Sequence, residues 1–257
     1  MNAVTATTER LSPIAYEELS LNAWPALKTL VFKGCVLRFA NGYTNRANSA
    51  NPLYVAGDDL REVIEYAESF YAAEGRPSVF KVLGVPGYEA LDGILAGRGY
   101  GKITETSVMT VALTSGERSA PEVGIRDDFD DGWISACASF NGYPDTTRET
   151  MTRMLRTIGV ETIVASLAVD GAVVACGYGA IERGRVGCFD IIVDGARRGK
   201  GYGRAVMVAI MDEARRRGAR EAYLQVLASN GVARRLYEGL GFESAYSYWY
   251  RRLTPAG

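Results

Sequence analysis

Between Arg197 and Arg204 the chain reads Arg-Arg-Gly-Lys-Gly-Tyr-Gly-Arg, a strip in which glycines alternate with cationic and aromatic residues. Glycines let a ligand come close to the backbone. Successive N–H groups, with the start of a helix behind them, form a cradle for anions. Arg198, Lys200 and Arg204 add positive charge suited to phosphate oxygens. A glycine-rich turn of this kind also suits a basic, solvated connection between a strand and a helix. The spacing fits neither the P-loop pattern GxxxxGK[ST] nor the dinucleotide fingerprint GxGxxG.

The rest of the reactive inventory is short. Histidine is absent, so a Ser-His-Asp or Cys-His nucleophile system and a His-containing metal site are excluded. The four cysteines, Cys35, Cys137, Cys176 and Cys188, are scattered and lie among apolar or small residues. None falls at metal-ligand spacing, and each reads as a small buried hydrophobe, so no metal is expected. Proton transfer is left to Asp, Glu, Tyr, Lys, Cys or water.

These residues need elements to position them. Residues 162–169 and 172–181 are apolar, β-branched runs joined by Asp170-Gly171, a hairpin signal. A third strand, 186–193, follows the turn Arg183-Gly184-Arg185 and runs into the glycine-rich strip. After the strip comes a helix with apolar residues at helical spacing, stopped at Gly218. A strand at 221–227, a short helix opened by Asn230 and an aromatic strand at 244–251 complete the half. Ahead of the meander, two helical stretches lie between 128 and 158 around Asn141-Gly142-Tyr143-Pro144.

The first half carries a diverged copy of that order. Laying Gly75 over Gly218 superposes helix-then-strand text, and one residue later Arg98-Gly99-Tyr100 lies over Leu240-Gly241-Phe242. Asn41-Gly42 supplies a further hairpin signal upstream. An internal duplication accounts for the pattern, with residues 114–121 as a polar linker. The cradle positions Lys200, Gly201, Tyr202 and Gly203 lie over Gly57, Asp58, Asp59 and Leu60. Two aspartates would repel an anion, so the first half is expected to have lost ligand binding and instead to shape a pocket or provide a packing surface.

The chain has 257 residues, 47% hydrophobic and 23% charged, with a net charge of −1. That suits two units of about 125 residues each, with ordinary cores. The charge gives no pull toward nucleic acid or an acidic membrane, and no apolar run approaches the roughly 20 residues needed to cross a bilayer. The polar N-terminal stretch lacks the apolar segment of a secretory signal, so a cytoplasmic location is expected.

With both the strip and its surroundings in view, the second half resembles the GNAT superfamily of acyl-CoA N-acyltransferases. The family's phosphate signature, Q/R-x-x-G-x-G/A, is similar to Arg198-Gly199-Lys200-Gly201-Tyr202-Gly203. A second signature, N-x-x-A-x-x-x-Y-x-x-x-G-F, is similar to Asn230, Ala233, Tyr237, Gly241 and Phe242. Ile191-Ile192-Val193-Asp194 looks like the family's bulged central strand. The resemblance implies a mixed α/β fold of the α+β kind: two GNAT-like units, each a twisted, mostly antiparallel mixed sheet flanked by helices. Residues 1–115 would form a degenerate unit and 122–257 the catalytic one.

The resemblance also implies roles. Backbone amides of Arg198, Gly199, Lys200, Gly201, Tyr202, Gly203 and Arg204 would hold the pyrophosphate of acetyl-CoA, the acyl-donor substrate. Ile191, Ile192 and Val193 would pair with the pantetheine arm as an added strand, and the Val193 N–H would stabilise the oxyanion. Asn230 would contact the donor, although an N-cap role alone also fits. Tyr237 would protonate the departing thiolate, its unperturbed pKa of about 10 suiting it as a donor; packing beside Leu236 is the plain alternative. Asp190, Glu182 and ordered water all remain open as the base. The expected reaction is acetyl transfer to a primary amine of a small molecule by direct attack. A protein N-terminus or lysine as acceptor, and a non-catalytic acyl-CoA-binding module, are the alternatives. Homodimer formation is left open.

Overall fold

Asp170 and Gly171, with φ of 54° and 79°, adopt the left-handed backbone of a tight hairpin. Asn41 and Gly42 share it, at 52° and 79°, but lie in the longer connection between Phe39 and Ala50, and the tight first-half hairpin turns instead at Lys33-Gly34. Around them a computed structural model describes residues 11–114 and 123–253. The expected linker, from residue 115 onward, lies outside the described residues, as does the N-terminal stretch before Leu11.

In chain order the elements are α1 (Pro13–Ala23), β1 (Lys28–Phe32), β2 (Cys35–Phe39), β3 (Ala50–Pro52), α2 (Leu60–Ala73), β4 (Val79–Leu83), α3 (Glu89–Gly97), β5 (Tyr100–Ala112), β6 (Val123–Arg126), α4 (Asp131–Asn141), α5 (Asp145–Leu155), β7 (Glu161–Val169), β8 (Ala172–Glu182), β9 (Arg185–Val193), α6 (Tyr202–Arg216), β10 (Glu221–Leu227), α7 (Gly231–Glu238) and β11 (Glu243–Leu253). The meander, the helix after the glycine strip and the closing helix and strands all stand where the residue pattern puts them. Helix–strand–helix–strand runs twice, as α2-β4-α3-β5 and as α6-β10-α7-β11. Gly75 and Gly218, superposed in aligning the halves, both carry positive φ, 65° and 91°.

Among the described residues the strands form one 11-stranded sheet in the order β1-β2-β3-β4-β11-β5-β10-β9-β8-β7-β6. Its ladders are antiparallel except β3–β4 and β9–β10, one in each half. The fold is therefore the expected mixed α/β class, a mostly antiparallel sheet flanked by helices. The centre holds a feature that residue patterns do not announce. The last strand of the second half, β11, lies between β4 and β5 of the first, and β5 pairs in turn with β10. The halves thus share one sheet, each placing its final strand against the other's.

Two apolar clusters cover opposite faces of the second-half sheet. One packs α6 and Tyr237 against β7–β10 through Val206, Ile210 and Leu224. The other packs α1, α4 and α5 around Tyr178, Phe189 and Tyr223, with Trp24 and Tyr248 joining it from the central region. Helix α1, the first element in the chain, is thereby part of the second half's core. All four cysteines are buried and free, as their surroundings suggested.

Candidate active site

The site is organised by a break in the β8–β9 ladder. Cys176 faces Ile192 and Tyr178 faces Phe189, so Gly177 alone stands opposite both Asp190 and Ile191. Asp190 takes φ 49°, and this bulge turns both Phe189 and Asp190 toward the face of α1 and α4. A Cβ at position 177 would lie 2.4 Å from Ile191 Cδ1 and 3.3 Å from Ile191 Cα, so a larger residue there would have to push Ile191 aside. Sequence reading placed the functional bulge at Val193; the distortion lies at Asp190 and Ile191, upstream of it.

The neighbouring strands part at the same place. The parallel β9–β10 ladder ends at Cys188 opposite Leu224, while β10 runs on to Leu227 paired with β5. Beyond Cys188 one edge of β9 is therefore open. The Asp194 N–H donates to the Val174 carbonyl at 2.9 Å, and Ile192 occupies the next position of the same phase opposite Cys176. By strand alternation Ile192 and Asp194 turn their backbone groups to β8, and Val193 between them turns its own to the gap. Val193 is thus well placed for both expected roles. Ile191 has no ladder partner, whereas the backbone of Ile192 is turned away from the gap.

Helix α6 starts beside the end of β9. Gly201 takes φ 81° as the N-cap, no side chain caps the helix, and its first turn holds no acidic residue. The first intrahelical bond is Ala205 N–H to the Gly201 carbonyl, at 3.0 Å, so the amides of Tyr202, Gly203 and Arg204 precede the intrahelical ladder. A Cβ at Gly199 or Gly201 would meet open space, and one at Gly203 would lie 3.4 Å from Val193 Cγ2. The cradle and the open strand edge therefore adjoin. Arg198 and Lys200 are exposed at its rim.

On the α6 face, Tyr237 is buried and packs with Phe242, ring centroids 6.0 Å apart, and with Cys188 in one cluster. Burial, with a smaller contribution from the neighbouring Cys188, pushes its phenol up to about 12, so it holds its proton at neutral pH. The Cys188 thiol is also pushed up to about 12, by burial. Asn230 caps α7, its Oδ1 accepting from the Ala233 N–H at 3.1 Å.

On the opposite face, Asp190 Oδ2 is buried with no hydrogen-bond partner among the described residues. Burial raises its carboxyl to about 6, opposed by the positive charge of Arg46. Glu182 does not join it. The Asn22 Nδ2 group donates to both Glu182 oxygens, at 3.2 and 3.0 Å, and Arg183 Nε lies 3.4 Å away. Glu182 pairs with Arg185, and the five strand residues from there to Asp190 span about 16 Å. Its role is structural, at the far end of the hairpin.

The first half was expected to shape the acceptor pocket or to provide a packing surface, but its residues at the site carried no signal. The segment after β2 brings Tyr43 and Arg46 beside Asp190, with the Arg46 guanidinium 4.1 Å above the Trp24 ring. A cavity of about 280 Å³ opens there, lined among others by Arg46, Thr104, Thr106, Gln225, Tyr248 and Tyr250. Gln225 lies just past the point where β10 leaves β9. No motif marks these residues, because they meet only through the shared sheet.

A bulged strand, a parted parallel neighbour, an uncapped glycine-rich helix start and a buried phenol together define an N-acetyltransferase of the GNAT class. The chain belongs to the family described as "Probable histone acetyltransferase Rv0428c C-terminal", whose model matches residues 14–251. It is 26% identical over 242 residues to the uncharacterized N-acetyltransferase YobR of Bacillus subtilis strain 168, covering 91% of this chain and 96% of that protein. A shorter stretch of 57 residues is 44% identical to the [ribosomal protein bS18]-alanine N-acetyltransferase of Escherichia coli K12, covering 22% of this chain and 38% of the enzyme. Among solved structures, a GCN5-related N-acetyltransferase from Kribbella flavida shares the fold with a TM-score of 0.69 at 15% identity, over 95% of this chain and 96% of that one.

Proposed function

We infer that the protein transfers an acetyl group from acetyl-CoA to a primary amine of a small molecule by direct attack. The observation that carries this reading is the gap between β9 and β10, with Tyr237 on one face and Asp190 on the other. The donor would enter from the α6 face, its pyrophosphate on the first-turn amides of α6 and its pantetheine along Val193 and Ile191. Asp190 takes one proton from the acceptor ammonium. The amine nitrogen then forms a bond to the acetyl carbonyl carbon while the Val193 N–H holds the developing oxyanion. The C–S bond breaks, Tyr237 gives its proton to the thiolate, and the surplus proton of the new amide nitrogen restores the phenol through solvent. The sum is one amide, one CoA thiol and one proton released.

The first half supports a small acceptor, since the segment holding Tyr43 and Arg46 covers the α1 face of the gap. A protein amine is the second reading, favoured by the ribosomal-protein acceptor in the name of the Escherichia coli relative. The deciding experiment measures CoA thiol release with acetyl-CoA against small primary amines and against peptides bearing free N-termini or lysines. Turnover with small amines is expected. Turnover with peptides alone would transfer the reading to the protein acceptor, and none with either would leave a binding module.

A further inference from the structure

We propose that the acceptor carries a carboxylate besides its amine, Arg46 receiving the carboxylate while Asp190 receives the amine. This rests on the small-molecule reading above and narrows it to amino-acid-like acceptors. The first observation is the state of Arg46. Its guanidinium carbon lies 4.1 Å over the Trp24 ring and 5.9 Å from the Phe189 ring centre, yet among the described residues no hydrogen bond or ion pair engages it. Five N–H donors beside a cavity and partly withdrawn from water are costly to leave unused. Their planar fork matches a carboxylate.

The second observation is how firmly this arginine is held. Its own carbonyl accepts from Arg38 Nη1 at 2.7 Å, and Arg38, buried, also donates to the carbonyls of Leu21, at 3.3 Å, and Trp24. Trp24 donates through Nε1 to Thr44 Oγ1 at 3.2 Å and stacks on Tyr43 and Tyr178, at 5.9 and 6.3 Å. A guanidinium fixed at both backbone and ring is preorganised for a ligand.

The third is that its surroundings are unfinished in the complementary sense. Asp190 Oδ2 is buried without a hydrogen-bond partner among the described residues, and no ion pair among them joins Asp190 to Arg46. The cavity Arg46 faces, about 280 Å³, also presents Thr44, Asn45, Thr104 and Thr106. That is several times the roughly 30 Å³ share of one liquid water. Thr104, on the cavity wall, takes φ 47°, a left-handed backbone rarely held by a β-branched residue. A zwitterion fills both vacancies: its ammonium at Asp190, next to the gap where the thioester carbonyl would lie, and its carboxylate at Arg46. A phosphate fits less well, because a dianion beside Asp190 would face one cation only.

The test uses the full chain with α-, β- and γ-amino acids, each paired with its decarboxylated amine and its primary amide. Wild type should favour the carboxylate member in kcat/KM by at least about tenfold, mainly through KM. Arg46→Gln should bring that ratio toward one, and Arg46→Lys should keep part of it. Equal turnover of the carboxylate-free amines by wild type overturns the proposal while leaving acetyl transfer intact, and needs no variant to fold. A ratio unchanged in Arg46→Gln also overturns it. Acetylation of peptide amines alone removes the small-molecule reading with it, and no turnover on any amine removes both.

Discussion

Burial holds the Asp190 carboxyl at about 6, against an ordinary value of 3.8, and this has two consequences of opposite sign. As a base Asp190 works only when ionised, so kcat/KM for the acceptor should climb with pH through about 6, and Asp190→Asn should lose both activity and that inflection. In stability, the native state binds this proton more tightly than the unfolded chain between about pH 4 and pH 6. Stability from this group is therefore full below about pH 4, is lost as pH rises to 6, and stays lower at pH 7. Asp190→Asn should accordingly raise the melting temperature at pH 7, by a free energy on the order of 1–3 kcal/mol; a lower one would mean that the carboxylate is held by a partner. For Tyr237, replacement by Phe keeps the packing against Phe242 but removes the proton. Turnover should fall about 10²–10⁴-fold with acetyl-CoA affinity nearly constant, as read by single-turnover kinetics and calorimetry. If more than about half of the turnover survives with chemistry rate-limiting, the acid is another group. Tyr237 could be nominated from the sequence by its spacing from Asn230 and Phe242, whereas Asp190 stood only as one of two carboxylates on or beside a strand. Glu182 was equally visible as a carboxylate near a strand end, but only the register shows it at the wrong end. Arg46 had no local signal at all.

At the level of elements, the β9 bulge and the start of α6 act together, because Gly203 abuts Val193. Gly201→Asp or Gly203→Asp would bring a carboxylate to the first turn of α6, where anions are expected to bind. Each hydrogen bond to a charged group that is lost costs about 1.5–3 kcal/mol, so CoA affinity should drop at least tenfold. Unchanged affinity in both folded variants, measured by calorimetry, would remove the cradle assignment. The hairpins and α6 were legible because turn dipeptides and apolar spacing are local properties. The bulge was misplaced by two or three residues, since its position depends on Gly177 in the facing strand. That dependence crosses a ladder, and no periodicity within β9 records it.

Across the whole molecule, helix–strand–helix–strand order recurs, and we propose that it records a duplication with 1–115 and 122–257 as its units. The copies differ where a donor would bind. Lys33 holds Asp59 and Glu62, at 2.7 and 2.5 Å, at the start of α2. Tyr88, which precedes α3 as Asn230 precedes α7, donates its hydroxyl to the Pro52 carbonyl at 2.7 Å, beside the first half's own parallel ladder. One CoA should therefore bind per chain; a calorimetric stoichiometry near two would refute the loss of the first site. The exchanged central strands were invisible to the duplication pattern, which gives the order of elements but not their partners. Because β11 completes the first half and β5 the second, unfolding should be a single transition. Fluorescence from Trp133 and from Trp249, in single-tryptophan variants, should report the same midpoint in urea. Separate midpoints would mean that the halves hold together without each other's strands.

The place of β11 also sets a timetable. Strands β4 and β5 leave the ribosome more than a hundred residues before β11, and neither is the other's partner. Until residues 243–253 arrive, the slot between them stays two strand spacings wide, about 10 Å, with an unpaired edge on either side. Growing chains are therefore exposed to mispairing at this slot until β11 has been made. A stop codon just ahead of Glu243 would remove the keystone of the sheet while leaving every donor-binding residue in the polypeptide.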